Sequence, residues 1–124
     1  MFKDHPATGV GLANFTQNYH EQYILPEAKE PYLGHAHNNF MHSLAEGGII
    51  GFSGLLAFWG YVFICGIIGW KKHRETVYLL LLSVLLGVVL HGITEYTWGA
   101  AVTTKLFWLS IALCFKWIDL KQET

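Results

Sequence analysis

The sequence has little charge. Only 14% of its 124 residues are Asp, Glu, Lys or Arg, whereas 52% are apolar. Because a water-soluble domain usually carries about 25% charged residues, this composition argues against a soluble fold. The net charge of −1 provides no basic surface, so no nucleic-acid partner is expected. The two cysteines, Cys65 and Cys114, lie inside apolar runs, which indicates neither a disulfide nor a cysteine-based metal site.

Three long apolar segments follow the first 47 residues. Residues 48–70 and 77–94 contain no Asp, Glu, Lys or Arg, and residues 99–118 contain only Lys105 and Lys116. A helix needs about 20 apolar residues to cross a bilayer, where its backbone polar groups must be paired internally. We therefore predict an all-α membrane protein. Its parts are an outer-face loop with short helices at 1–47, transmembrane helices at about 48–70, 77–94 and 99–118, and a tail at 119–124.

The charges beside these segments predict their orientation. Cations cluster at residues 71–74, whereas the connection at residues 95–98 contains no Lys or Arg. Because loops rich in Lys and Arg stay in the cytoplasm, the first of these connections and the C-terminus are predicted to be cytoplasmic. Residues 1–47 then lie on the periplasmic or extracellular face of a multi-pass protein of the bacterial inner (plasma) membrane.

The N-terminal segment lacks a signal for its own export. Residues 1–6 show no basic stretch followed by an apolar one, the pattern of a signal peptide. A polar segment of 47 residues nevertheless has to reach the outer face. Upstream helices that are missing from this sequence explain this simply. We therefore expect the chain to be the C-terminal part of a larger polytopic bundle.

Two patterns precede the polar part of the loop. Gly9–Ala13 predicts a flexible turn that leads into a helix. Phe15, Tyr19 and Tyr23 follow at a spacing of four residues and form one aromatic stripe. Such a stripe is more typical of packing than of a sugar-binding platform.

Residues 34–48 form the densest polar cluster in the chain. Asn38 or Asn39 can cap a short helix that begins directly after it. On such a helix His42 and Glu46 stand at i and i+4, so the carboxylate can hold and orient the imidazole. The two glycines that end the cluster allow a bend before the first span.

Three histidines and a glutamate within twelve residues allow three interpretations. A neutral imidazole can act as a general base and accept the proton of an attacking hydroxyl, which typically raises a rate by about 10²–10⁴-fold. The same side chains can bind a metal ion, although no recognised zinc spacing is completed. The third interpretation is a solvated polar segment at the membrane interface. The residue types leave all three open for His35, His37, His42 and Glu46.

The spacing inside the cluster follows a longer pattern. His37-Asn38 is followed by nine residues, Gly48, two residues and Gly51, and a second glycine-containing stretch lies upstream at residues 5–11. In these features the segment resembles the O-antigen ligase family of bacterial membrane glycan transferases. The resemblance covers roughly residues 5–60 and extends to the remaining helices in layout only.

The resemblance implies a reaction. A glycan carried on undecaprenyl pyrophosphate is transferred to an acceptor hydroxyl on the periplasmic or outer face of the membrane. In lipopolysaccharide biosynthesis the acceptor is lipid A–core, whereas related members polymerise polysaccharide repeat units or glycosylate proteins. By resemblance, His37 is the base that activates the acceptor hydroxyl and Asn38 orients the base or the acceptor. His35, His42 and Glu46 support the loop or bind substrate, and the family needs no metal or cofactor.

A leaving pyrophosphate calls for guanidinium groups, which bind phosphate through two parallel hydrogen bonds. The chain has a single arginine, Arg74, which is predicted to be cytoplasmic. By resemblance the outer-face arginines lie in earlier helices, so we expect this chain to be inactive without the missing N-terminal helices. Lys105 either faces the pyrophosphate or extends to the interface. His91 and Glu95 either line the same cavity or cap the end of the second span.

An alternative of another class remains at this point. The chain could be a non-enzymatic membrane module that binds metal through His35, His37 and His42. This alternative predicts stoichiometric Zn²⁺ binding that depends on these three side chains.

Overall fold

The computed structural model describes residues 1–28 and 32–122, and the side chains up to Lys121. Its elements are α1 at Phe15–Asn18, a π-helical turn at Tyr19–Tyr23, α2 at Asn39–His73, α3 at Thr76–Thr94 and α4 at Ala101–Gln122. No strand occurs within these described ranges, so the predicted all-α fold is confirmed. Residues 29–31 of the loop and residues 123–124 of the predicted tail lie outside the described part of the chain.

Three of the helices, α2, α3 and α4, are long and apolar enough to cross a membrane. The chain itself buries only 17–22% of the most apolar stretch of each helix. Large apolar side chains such as Ile64, Leu86 and Leu109 are therefore exposed. Surfaces of this kind are stable against lipid tails or other apolar helices and unstable in water.

Helix α2 is divided by a bend at Gly48, where φ is 57° and ψ is −161°. This backbone conformation is essentially restricted to glycine, because a Cβ would collide with the backbone. The bend predicted from the glycine pair is therefore present. It separates the polar first part of α2, residues 39–47, from the apolar remainder.

The chain divides into two compact units. The first unit contains Met1–Leu56 and Gly92–Tyr96, and it includes the polar cluster. Inside this unit Asn39 is fully buried and lies against Gly92 of α3. A Cβ on Gly92 would overlap the Asn39 side chain, so the glycine permits this close approach.

The second unit contains Ala57–His91 and the described residues from Thr97 onwards. Two glycines of α2 bring this helix close to α3. A Cβ on Gly66 would lie 2.6 Å from a methyl carbon of Leu82, and Gly69 lies directly against the ring of Tyr78. Small residues at helix interfaces let two backbones approach and pack in this way.

Candidate active site

The bend of α2 leaves four backbone groups without their helical partners. In a regular helix the N–H groups of residues 49 and 50 would donate to the carbonyls of residues 45 and 46. The N-terminal segment, residues 6–11, pairs with all four groups instead. The four hydrogen bonds run from Ile49 N to Pro6 O at 2.8 Å, Ile50 N to Ala7 O at 3.1 Å, Val10 N to Ala45 O at 2.9 Å, and Gly11 N to Glu46 O at 2.9 Å. We call this arrangement the backbone clasp.

The backbone clasp requires glycine at two facing positions. Gly9 and Gly48 both have positive φ angles, of 65° and 57°. A Cβ on Gly9 would lie 2.5 Å from the carbonyl oxygens of Ala45 and Glu46. The turn expected at Gly9–Ala13 is present and leads into α1, and its first residues are also held against α2 by hydrogen bonds. These residues dock on α2 because the bend leaves backbone groups of α2 unpaired. A local sequence pattern does not reveal such a distant partner.

Glu46 and His42 form a buried pair just before the bend. The Glu46 Oε1 atom lies 3.4 Å from His42 Nε2, as the i, i+4 spacing predicted. The same oxygen accepts a hydrogen bond of 3.0 Å from the Phe15 backbone N–H at the start of α1. His42 is only 4% exposed, and its ring lies between Phe15 and Tyr96, at centroid distances of 4.7 Å and 3.8 Å. Glu46 thus connects α1 to α2 and holds the imidazole.

Asn38 is the residue that begins α2. Its Oδ1 atom accepts hydrogen bonds of 2.9 Å from the backbone N–H groups of Phe40 and Met41, which is the geometry of an N-cap. Its Nδ2 atom donates to the carbonyl oxygen of Ile93 at 2.7 Å. One amide side chain therefore fixes both the start of α2 and the end of α3, directly beside His37.

His37 stands at the surface of this framework. Its backbone is left-handed, with a φ of 47°, and its side chain is 56% exposed. The Nδ1 atom lies 3.6 Å from Oε2 of Glu95, whose side chain is 55% exposed. The ring contacts His35 edge-on at a centroid distance of 4.3 Å. An exposed imidazole beside a carboxylate can exchange protons with a bound hydroxyl group.

Glu95 belongs to this arrangement for a reason that differs from the sequence interpretation. Helix α3 ends at Thr94, so Glu95 lies beyond the helix and makes its contact with His37. His91, by contrast, lies in the last turn of α3 and belongs to the second unit.

Lys105 and Gly51 complete the set of predicted site residues. Lys105 is exposed on α4, in the second unit. Gly51 lies in α2 after the bend, and a Cβ on it would meet no atom within 4 Å. The structure thus groups His35, His37, Asn38, His42, Glu46 and Glu95 in the first unit, whereas His91 and Lys105 belong to the other unit.

Tyr96 contacts two of the candidate site residues and was not selected in the sequence interpretation. Its ring stacks on His35 at 5.3 Å and contacts the buried His42 at 3.8 Å. Burial raises the pKa of the Tyr96 phenol, and the negative charge of Glu46 raises it further. The sequence did offer one indication: Tyr96 follows Glu95 in a short loop that is predicted to lie on the same face of the membrane as the histidines.

Metal-binding geometry is absent from the described residues. No group of three His, Cys, Asp or Glu side chains in these ranges is placed to hold a metal ion. The alternative of a metal-binding module therefore gains no support from the arrangement of His35, His37 and His42.

Residues of the first unit match a known protein family. The family model described as O-Antigen ligase matches residues 1–56. Residues 1–56 of this chain are therefore similar to the O-antigen ligase family. The matched segment contains His37, Asn38, the buried pair and the backbone clasp, whereas Glu95 and Tyr96 follow it in the sequence. Neither a curated protein nor a solved structure matches the chain.

Proposed function

We propose that this chain carries the catalytic loop of an O-antigen ligase-type membrane glycosyltransferase. The donor is a glycan on undecaprenyl pyrophosphate, and the reaction takes place on the periplasmic or outer face of the bacterial inner membrane. The acceptor is the hydroxyl of lipid A–core, of a growing polysaccharide or of a protein. The match of residues 1–56 to the O-antigen ligase family model supports the reaction class.

One observation carries the assignment of the base. His37 is exposed, its Nδ1 atom faces the Glu95 carboxylate at 3.6 Å, and the Asn38 side chain anchors the backbone beside it. A carboxylate near Nδ1 favours the tautomer that carries its proton there, which leaves Nε2 free to accept a proton. Of the histidines in this unit, buried His42 is already engaged with Glu46, so it suits a supporting role.

The proposed step is a substitution at the anomeric carbon of the donor sugar. The acceptor hydroxyl oxygen forms a new bond to this carbon, and its proton passes to Nε2 of His37. The bond from the anomeric carbon to the pyrophosphate oxygen breaks, and undecaprenyl pyrophosphate leaves with the electron pair. His37 then returns the proton to solvent. Because pyrophosphate is a good leaving group, the step depends more on a base than on an acid.

The pyrophosphate also needs positive charge around it. Arginine binds phosphate best, but the single arginine, Arg74, follows α2 and lies over the ring of Trp70 at 5.5 Å. We propose that arginines of upstream helices of the same protein bind the pyrophosphate.

The test is a chromosomal His37→Ala substitution in the organism that encodes the chain, with His73→Ala as the matched control. His73 is an exposed histidine at the other end of α2. Transfer is followed by gel electrophoresis of the surface glycan and by extraction of the lipid-linked donor. We expect His37→Ala to abolish transfer and to accumulate donor, and His73→Ala to do neither. Normal transfer by His37→Ala would show that His37 is not the base.

A further inference from the structure

His37 has few contacts that hold its ring in place. Its side chain is more than half exposed, and its backbone occupies the left-handed region that residues other than glycine rarely adopt. Glu95, on one side, is itself about half exposed. An exposed imidazole in this position would sample several rotamers unless another group restricted it. A base that must meet a hydroxyl in one geometry needs such a restriction.

His35 is the second group that contacts His37. The two rings meet edge-on at 4.3 Å, and the His37 backbone N–H donates to His35 Nδ1 at 3.3 Å. His35 is itself half-buried, and its ring also stacks on the ring of Tyr96 at 5.3 Å. The position of His37 therefore depends on the position of His35, which depends in turn on Tyr96.

Tyr96 is fixed from the opposite side. Its ring lies 3.8 Å from the ring of His42, which Glu46 and Phe15 hold in the interior. A continuous series of ring contacts thus runs from the buried end of the unit to its surface. In order, its members are Phe15, His42, Tyr96, His35 and His37.

We infer that Tyr96 is a positioning residue, which holds the ring of His37 in place through the ring of His35. The inference rests on the proposed role of His37 as the base. Tyr96 also follows Glu95 directly, so one short segment holds His37 on two sides: through the carboxylate at Nδ1 and through the ring of His35. The contacts are made by the ring of Tyr96, so the ring and not the hydroxyl should be required.

The first test compares Tyr96→Leu with Tyr96→Phe in the native membrane. The probe is the endogenous lipid-linked glycan, pulse-labelled in its sugars, and transfer is expressed per copy of the protein. We expect Tyr96→Leu to lower transfer about 10–100-fold, the usual effect of a small misplacement of a catalytic group. Tyr96→Phe should remain close to the unaltered protein. An equal loss in both variants, or no loss in either, would overturn the inference.

Tyr32→Leu is the matched control, because Tyr32 is also a tyrosine stacked on a histidine, His20, at 5.2 Å in the same unit. It should leave transfer unchanged. His35→Ala breaks the same link without altering the buried residues. We expect it to lose as much transfer as Tyr96→Leu, and the double variant to lose no more than either single variant. Losses that multiply in the double variant would show that the two residues act separately.

A second test does not depend on transfer. The 124-residue chain is labelled with ¹³C in its histidine rings and placed in lipid nanodiscs, and the His37 signal is identified by its loss in His37→Gln. We expect Tyr96→Leu to move the signals of both His35 and His37, and to leave those of His20 and His73 unchanged. A shift of the His35 signal with an unmoved His37 signal would overturn the inference. If His37→Ala proves active, the proposed function fails, and this experiment still decides whether Tyr96 positions His37.

Discussion

Gly9 and Gly48 lie face to face where the N-terminal segment crosses the bend of α2. A Cβ on Gly48 would lie 2.5 Å from the backbone nitrogen of Gly9, closer than real Cβ atoms approach any heavy atom. The four hydrogen bonds of the backbone clasp surround this contact. The two glycine-containing stretches of the family pattern, although distant in sequence, are therefore two halves of one structural feature.

The first prediction concerns the two glycines of the His-Asn motif. Gly48→Ala should destabilise the protein by at least about 1–3 kcal/mol, because alanine is strained in this backbone conformation and collides with residues 7–9. Gly51→Ala should be tolerated, because the space around Gly51 is open and alanine favours a helix. Thermal unfolding in nanodiscs measures both. Equal stability of the two variants would contradict the clasp.

Glu46 gives the second prediction. Glu46→Ala removes the acceptor of the buried Phe15 N–H and the partner of His42 together. An unsatisfied buried donor costs about 1–3 kcal/mol, so we expect a loss of unfolding free energy of at least this size. Glu46→Gln keeps an acceptor oxygen and should lose less. Glu27→Ala, at an exposed position, is the control and should change stability little.

The third prediction concerns Asn38. Asn38→Ala removes the N-cap of α2 and the bond to Ile93, so stability should fall by about 0.5–2 kcal/mol for the cap alone. Asn38→Asp keeps the cap acceptor but loses the donor to Ile93. Its stability should therefore lie between that of the unaltered chain and that of Asn38→Ala. Asn18→Ala removes only a surface hydrogen bond and should change stability by less than about 0.5 kcal/mol. Equal effects of Asn38→Ala and Asn18→Ala would argue against the anchoring role of Asn38.

The fourth prediction is a dependence of stability on alkaline pH. Burial and the charge of Glu46 raise the pKa of Tyr96 above its value in the unfolded chain. The folded protein therefore holds this proton more tightly, and its contribution to stability is complete below about pH 10. That contribution is lost as the pH rises through the raised pKa of folded Tyr96. Tyr23 adds a loss of the same sign, because its hydrogen bond to Asp4 raises the pKa of its phenol.

Measurement of stability from about pH 9 to pH 11 tests this prediction. Tyr96→Phe has no proton to lose at this position, so its stability should fall less steeply with pH than that of the unaltered chain. Tyr32→Phe, at an exposed tyrosine, should leave the slope as it is. A steeper fall in Tyr96→Phe would contradict the raised pKa of Tyr96 in the folded protein.

Local patterns were sufficient to predict the helices, the bend and the contact between His42 and Glu46. Each depends on residues that are close in sequence: apolar runs, a glycine pair and an i, i+4 spacing. The backbone clasp and the bond from Asn38 to Ile93 could not be predicted in this way. The bond from Asn38 to Ile93 joins residues 55 positions apart. The periodicity of a sequence does not indicate which distant carbonyl group a given side-chain amide will contact.

Tyr96 shows the same limit at the candidate site. An aromatic residue in a loop has many possible partners, and only the approach of the end of α3 to Asn38 places its ring between His35 and His42. Glu95 was expected either to line a cavity with His91 or to cap the end of the second span. Because α3 ends at Thr94, the carboxylate is free of the helix and faces His37.

The most direct measurement is chemical rescue of His37→Ala. Transfer of the pulse-labelled endogenous glycan is followed in membranes from the native organism, with and without added imidazole. If His37 is the base, the variant should be inactive, and imidazole should restore part of the rate in proportion to its neutral form. His73→Ala should be active and should not respond to imidazole. Full transfer by His37→Ala in the absence of imidazole would contradict the account.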